Sequence, residues 1–184
     1  MKLSIIIPTL NNKKGLKILL TQLKDYENVF VIKDKGQGIT KCWNEGIQKA
    51  QGSDYVAIFN DDIELPKNWW DECFNNLKNG IDLLFLKQSS PIIFTGWFFI
   101  LSKRCIETIG IFDEDMRYFA QDYDYWLRFK KSGLKYDKID LNIIHHSSVS
   151  VSKKSVTWYK ENWNNDWLAL RKKHPNVRLQ EQLK

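Results

Sequence analysis

Apolar positions recur along this chain at two different periods, and the switches between them outline its elements. Residues 3–8 are apolar rather than alternating, the pattern of a buried first strand. Asn11 or Asn12 is placed to cap a helix whose apolar face is Leu16, Leu19, Leu20 and Leu23. Residues 29–32 predict a second short buried strand. After Gly36 and Gly38, the residues Ile39, Cys42, Trp43, Gly46, Ile47 and Ala50 recur at helical spacing, and Gly52 closes that helix. Residues 55–59 predict a third strand. Pro66 opens a helix carrying Trp69, Trp70, Cys73 and Leu77. Residues 81–86 read as a fourth strand and 92–101 as one long buried strand. A helix is expected over about 122–132, ending at Gly133, followed by one or two short strands that lead to His145 and His146. The last element is an amphipathic helix near 155–173 with Val156, Tyr159, Trp163, Trp167 and Leu170 on its apolar face.

Three strands alternating with two helices predict right-handed crossovers and a parallel, helix-covered sheet. Sheets of that kind bind ligands beyond the carboxyl ends of their strands. Attention therefore falls on Thr9-Leu10-Asn11, Asp34-Lys35-Gly36 and Asn60-Asp61-Asp62.

Composition narrows the class without naming a chemistry. The 184 residues, 43% hydrophobic and 27% charged, suit one folded domain and exclude a disordered chain. The apolar run at the N-terminus is too short for a secretory signal, and no window reaches the roughly 18 uncharged apolar residues of a membrane span. A cytoplasmic location follows as the expectation. Cys42, Cys73 and Cys105 form no C-x-x-C pair and each sits at an apolar helical position, so buried thiols are expected rather than zinc ligands or disulfides. Of the net charge of +6, residues 151–184 carry +5. The tail is thus a solvated lysine-rich helix or a candidate for peripheral contact with an anionic membrane; no nucleic-acid partner is expected.

Two adjacent carboxylates at a strand end, Asp61 and Asp62, repel each other unless a cation or donor groups offset them. Mg2+ or Mn2+ takes one or two carboxylates and completes its shell with phosphates and water, an arrangement suited to a nucleoside diphosphate. An acidic turn leading to the helix at Pro66 has the same spacing. Context separates the two. The run Ser4-Ile5-Ile6-Ile7-Pro8-Thr9-Leu10-Asn11, the run Val31-Ile32-Lys33-Asp34-Lys35-Gly36, the pieces Asn44-Glu45-Gly46-Ile47 and Ala50-Gln51-Gly52, and the stretch Ala57-Ile58-Phe59-Asn60-Asp61-Asp62 resemble the nucleotide-binding half of family 2 glycosyltransferases. Gly110-Ile111-Phe112-Asp113-Glu114, Gln121-Asp122-Tyr123-Asp124 with Arg128, and His145-His146-Ser147-Ser148-Val149-Ser150 resemble that family's later segments in the same order. The resemblance covers about residues 3–150.

It implies a GT-A-like three-layer α/β/α sandwich with a mostly parallel, mixed central sheet over residues 1–150. Residues 1–62 would form the nucleotide-binding half, 63–150 the acceptor and catalytic half, and 151–184 a basic amphipathic extension. The implied activity is inverting transfer of a sugar from a UDP-, GDP- or dTDP-linked donor to a glycan, lipid-linked or protein hydroxyl, assisted by Mn2+ or Mg2+. Asp34 would read the base, with Pro8, Thr9 and Asn11 lining the base and ribose pocket and Asn44 among the donor-binding residues. Asp61 would reach the ribose and Asp62 the metal, while Asn60 stands where many relatives carry a third carboxylate. Asp122 matches the general base, with Asp124 as its substitute. His145 matches a metal or diphosphate ligand, with His146 as its substitute. Gly96-Trp97 fits a close backbone approach and an aromatic wall for the sugar. Trp158, off the apolar face of the last helix, suits either a membrane interface or a helix closing over the acceptor site.

Two rival classes stay open at this point. A nucleotidyltransferase shares the architecture and the metal, but Thr9-Leu10-Asn11-Asn12 offers no glycine-rich loop after the first strand. A non-enzymatic module acting through its basic tail is the other.

Overall fold

The first strand explains why helices cover both sides of the sheet. β1 (Leu3–Thr9) sends Ile5 and Ile7 to one face and Ile6 to the other, and all three are fully buried. Side chains alternate across a strand, so a strand with no exposed side needs a layer of helices on each face. The computed structural model, which describes residues 1–87, 94–146 and 154–176, supplies both layers. After β1 come α1 (Lys13–Gln22), β2 (Val29–Lys33), α2 (Ile39–Lys49), β3 (Tyr55–Phe59), the short β4 (Ile63–Glu64) and α3 (Trp69–Leu77). Then follow β5 (Leu83–Leu86), β6 (Phe98–Ser102), α4 (Lys103–Ile109), α5 (Gln121–Lys130), β7 (Tyr136–Ile139), β8 (Ile144–His145) and α6 (Val156–Lys173).

The main sheet has the order β2-β1-β3-β6-β5-β7. β1 pairs in parallel with β2 and β3, β7 pairs in parallel with β5, and β6 runs antiparallel to both of its neighbours. The sandwich is therefore mostly parallel with one reversed strand, as expected. Trp43 of α2, Cys105 of α4 and Tyr125, Trp126 and Phe129 of α5 cover Ile6, Ile58, Phe85 and Phe99. Leu19 of α1 and Trp69, Cys73 and Leu77 of α3 cover Ile5, Ile7, Phe59 and Ile100 on the opposite face. Gly46 lets α2 lie directly on the sheet: a Cβ there would stand 2.3 Å from Ile6 Cγ2. The three cysteines are buried free thiols, each pushed by burial up to about 12.

Four expectations need correction. The apolar stretch at 92–101 is not one strand, because residues 94–97 are irregular and pairing begins at Phe98; residues 92 and 93 lie outside the described residues. β2 is not buried throughout: it is the outermost strand, and only Ile32 is fully covered. Leu20 is largely exposed although it shares the helical period of Leu16 and Leu19. In α6 only the C-terminal half of the apolar face is buried, at Trp167 and Leu170 against Met116 and Ala120, while Val156 is 71% exposed. Among the described residues no helix is long and apolar enough to cross a membrane.

α6 is held to the body by two buried carboxylates. Asp166 Oδ2 accepts the main-chain N–H groups of Tyr118 (2.7 Å) and Phe119 (2.8 Å). Asp124, fully buried on α5, accepts from Arg128 Nε at 2.8 Å, from Lys173 Nζ at 2.9 Å and from His174 Nε2 at 2.8 Å. Burial pushes the Asp124 carboxyl up, but the bonds from His174 and Lys173 and the Arg128 charge outweigh it and hold the group below its ordinary value. A depressed folded value means stability that is present above the unfolded carboxylate value near 4 and lost as pH falls through the folded value. Asp124→Asn is expected to cost on the order of 2 kcal/mol at neutral pH, because Arg128 and Lys173, both partly exposed, lose their buried carboxylate. The deficit should shrink on acidification, when the parent protein loses the same ionisation; chemical denaturation across pH measures it.

Candidate active site

The carboxyl ends of β1, β2 and β3 meet at one edge of the sheet, and a cleft opens there. It is lined by Pro8, Thr9 and Leu10 after β1, Asp34 after β2 and Asn60, Asp61 and Asp62 after β3. His145, Tyr118, Lys154 and Trp158 complete most of the rest of its lining. Thr9 and Lys33 are register partners, and the Asp34 N–H donates to the Thr9 carbonyl (2.9 Å), so the first two of these segments are joined through the ladder itself.

Asp61 joins the third. Thr9 Oγ1 donates to its Oδ2 at 2.5 Å, and Asn12 Nδ2 donates to its main-chain oxygen at 3.0 Å and to Oδ1 at 3.3 Å. Asn12 is also the cap of α1, its Oδ1 accepting the Gly15 N–H at 3.1 Å. Of the two candidate caps, Asn12 therefore serves. Gly15 is needed because a Cβ there would approach the Asp61 carbonyl to 2.5 Å. Burial raises the Asp61 carboxyl above its ordinary value, and the bonds from Thr9 and Asn12 offset only part of that cost.

Asp62 turns the other way, toward the two-stranded β4–β8 sheet. Ile63 is the register partner of His145, and the His146 N–H donates to the Asp62 carbonyl at 2.9 Å. This pairing brings His145 Nε2 to 3.2 Å from Asp62 Oδ1. Trp97 lies flat on the His145 ring, with centroids 4.4 Å apart and planes 17° from parallel. His146 instead points to Glu64, its Nε2 at 2.7 Å from Oε1. The metal implied by the family fits this pair. His145 Nε2 is buried and makes no hydrogen bond among the described residues. Two neighbouring ligands on an octahedral ion, each roughly 2.1 Å from it, stand roughly 3 Å apart. Among the described residues no group of three or more His, Cys, Asp or Glu side chains gathers around one point.

The remaining expected residues divide. Asp122 does not line the cleft; it sits in the first turn of α5, where Oδ2 accepts the Gly96 N–H at 3.1 Å and Oδ1 the Tyr123 N–H at 2.8 Å. Gly96 is adjacent to Trp97, so two consecutive residues tie Asp122 on one side to His145 on the other. A Cβ on Gly96 would meet Trp43 at 2.5 Å. Burial raises the Asp122 carboxyl, against the lowering effect of the Gly96 and Tyr123 amides. Trp97 supports His145 with its ring and accepts the Asn60 N–H at its carbonyl (3.0 Å), and it is not among the cleft-lining residues. Asn44 lies on the buried side of α2, where its amide clamps Phe112 and Glu114 through three bonds of 2.9 Å, a structural role in place of the expected donor contact. Asn11 is exposed, in the left-handed region at φ 63°, and makes the turn that lets Asn12 reach Asp61. Asp124 faces α6. Sequence reasoning missed Tyr118, for which no pattern exists, and Lys154; Trp158 carried a signal in its position off the apolar face of its helix.

The architecture and the cleft define a GT-A-type glycosyltransferase fold. The model of the glycosyl transferase family 2 matches residues 18–156, and the chain belongs to that family. It is 27% identical over 167 residues to an uncharacterised glycosyltransferase of Methanocaldococcus jannaschii, a match spanning 74% of this chain and 56% of that protein, so the chain spans about half the length of this relative. Glucosyl-3-phosphoglycerate synthase of Mycobacterium tuberculosis, solved with Mn2+, UDP and glucosyl-3-phosphoglycerate, is similar at a TM-score of 0.68 and 12% identity, over 97% of this chain and 81% of that one. The catalytic domain of Drosophila β1,4-galactosyltransferase 7 in complex with xylobiose is similar at a TM-score of 0.65 and 16% identity, over 90% and 80%.

The Asp61 clamp yields a pH-dependent prediction. A carboxyl raised by folding contributes stability that is fully present below its unfolded value and lost as pH rises through the folded value. Thr9→Val removes the shortest bond to the ionised form. The variant should be destabilised by about 1.5–3 kcal/mol at pH 8 and by distinctly less near pH 4. Thermal melts at the two pH values check this.

Proposed function

We propose that the chain transfers a sugar from a nucleotide diphospho-sugar to a hydroxyl acceptor, with inversion at the anomeric carbon and Asp122 as general base. The observation that carries this reading is the Asp62–His145 pair, 3.2 Å apart in the cleft that Asp34 also lines. Asp62 and His145 would hold Mn2+ or Mg2+, which when bound neutralises charge on the departing diphosphate. Asp34 accepts a hydrogen bond from the base, with Pro8 and Thr9 on the same wall, and Asp61 is assigned to the ribose. Asp122 takes the proton from the acceptor hydroxyl as its oxygen attacks the anomeric carbon. Its raised carboxyl makes it a stronger base than a solvated aspartate, and the Gly96 and Tyr123 amides fix its two oxygens. We assign residues 1–62 to the donor and 63–150 to the acceptor and base. The Mn2+ and UDP bound by the mycobacterial synthase and the xylobiose bound by the Drosophila enzyme support a nucleotide-sugar donor and a glycan acceptor for a chain of this fold. Tyr159 and Trp163, both partly exposed beside Lys160, support an added peripheral contact of α6 with anionic lipid.

Asp62→Asn is expected to abolish metal-dependent thermal stabilisation by nucleotide sugars. Asp122→Asn should keep that stabilisation while transfer falls about 10²–10⁴-fold. In the parent protein kcat/KM should rise with pH along an acidic limb lying above the ordinary aspartate value near 3.9. Normal turnover by Asp122→Asn would refute the base assignment, and proton NMR of the first-formed product decides between inversion and retention.

A further inference from the structure

The cleft has an aromatic wall that the donor reading does not use. Tyr118 and Trp158 both line it, with ring centroids 4.9 Å apart and planes at 69°. Tyr118 is held beside the Asp34 turn by its neighbours in sequence: the Arg117 carbonyl accepts the Thr40 N–H at 3.2 Å, Thr40 Oγ1 donates to the Met116 carbonyl at 2.5 Å, and the Arg117 guanidinium donates to the Gly36 carbonyl. Trp158 arrives on α6, which is fixed to the Tyr118 and Phe119 amides through Asp166. One carboxylate therefore positions both rings. Lys154, with its ammonium 5.3 Å from the centroid of the Trp158 ring, faces the same cleft. Ile39, at the start of α2, adds an apolar side chain to the same lining.

Asp34 is unequal at its two oxygens. Oδ1 accepts the Gly36 N–H at 2.7 Å and the Gly38 N–H at 3.1 Å. Both glycines have φ +97°, a conformation that L side chains rarely adopt, so the turn and its two bonds to Oδ1 are built into the chain. Two bonds fill the lone pairs of Oδ1, which leaves Oδ2 to meet a base. Guanine presents two adjacent donors, N1–H and the 2-amino group, and pairs with a carboxylate through both oxygens. Cytosine and adenine present a ring-nitrogen acceptor beside their amine, which a carboxylate repels. Uracil and thymine present a single imide N3–H between two carbonyls.

We propose, on the basis of the nucleotide-sugar reading above, that Asp34 Oδ2 and the Tyr118–Trp158 pair form a base pocket selective for a pyrimidine imide, so that the donor is a uridine or thymidine diphospho-sugar. Residues 154–173 are then part of the donor site, and α6 roofs the base. Stacking on an aromatic ring is tolerant of base identity and adds affinity, while the single oxygen of Asp34 supplies the choice.

Titration calorimetry of the full chain with UDP, dTDP, GDP and CDP in the presence of Mn2+ tests this. UDP or dTDP should bind about tenfold or more tightly than GDP, and their relative affinity separates uracil from thymine. Trp158→Ala should weaken the preferred nucleotide about tenfold, with Trp158→Phe restoring most of the loss. In Asp34→Asn the amide oxygen can keep the glycine bonds and turn its N–H₂ outward, so preference should move from UDP toward CDP, whose N3 is an acceptor. Saturation-transfer NMR on the unmodified protein should place the strongest enhancement on base protons H5 and H6 of UDP, a reading independent of whether the variants fold. GDP binding as tightly as UDP, or a folded Trp158→Ala with unchanged affinity, would overturn the inference and leave the nucleotide-sugar reading standing. Failure of all four nucleotides to bind with Mn2+ would overturn both.

Discussion

A buried carboxylate, Asp61, organises the edge of the sheet. Asp61 is tied through one oxygen to Thr9 at the end of β1, and through its other oxygen and its main chain to Asn12 at the start of α1. These bonds fix the direction in which the chain leaves β3. The next residue, Asp62, inherits the constraint and faces the β4–β8 pair and His145. Burying an ionisable group is costly, and here donors positioned by two other elements reduce the cost. The two adjacent aspartates both line the cleft but divide the work: Asp61 also ties β1 and α1 to the end of β3, while Asp62 pairs with His145.

A second layer of support is visible around His145. Its ring lies against Trp97, and Gly96 next to it binds Asp122, so the segment from 95 to 97 links the candidate metal ligand to the candidate base. Small displacements in that segment would be felt at both. The glycine is required by Trp43, which leaves no space for a side chain.

The same logic applies at the far wall. The first half of α6 packs its aromatic rings on Tyr118 and Phe119, and Asp166 and Asp124 add buried polar anchors to that contact. Both acids are buried; Asp124 draws Lys173 and His174 inward, while Lys154 faces the cleft. Part of the positive charge of the tail is therefore neutralised against the body, at Lys173, and part is presented beside the cleft, at Lys154.

By itself the amino-acid order determined the layers. Runs such as Ile5-Ile6-Ile7 and Ala57-Ile58-Phe59 leave neither face of a strand polar, and helical spacing at Cys42, Trp43 and Ile47 supplies a matching cover; these are local patterns and can be read locally. The positions of Asp34, Asp61 and Asp62 followed, since chemistry at the carboxyl ends of parallel strands is a consequence of that topology. The tertiary structure alone decided the rest. Strand periodicity has no direction, so the reversal of β6 and the edge position of β2 were not legible. Nor was the fate of Asn44 and Trp97, whose partners Phe112, Glu114 and His145 lie about fifty to seventy residues away. Tyr118 and Trp158 meet over the cleft only because Asp166 docks a distant helix on two main-chain amides, and no pattern within either segment encodes that encounter.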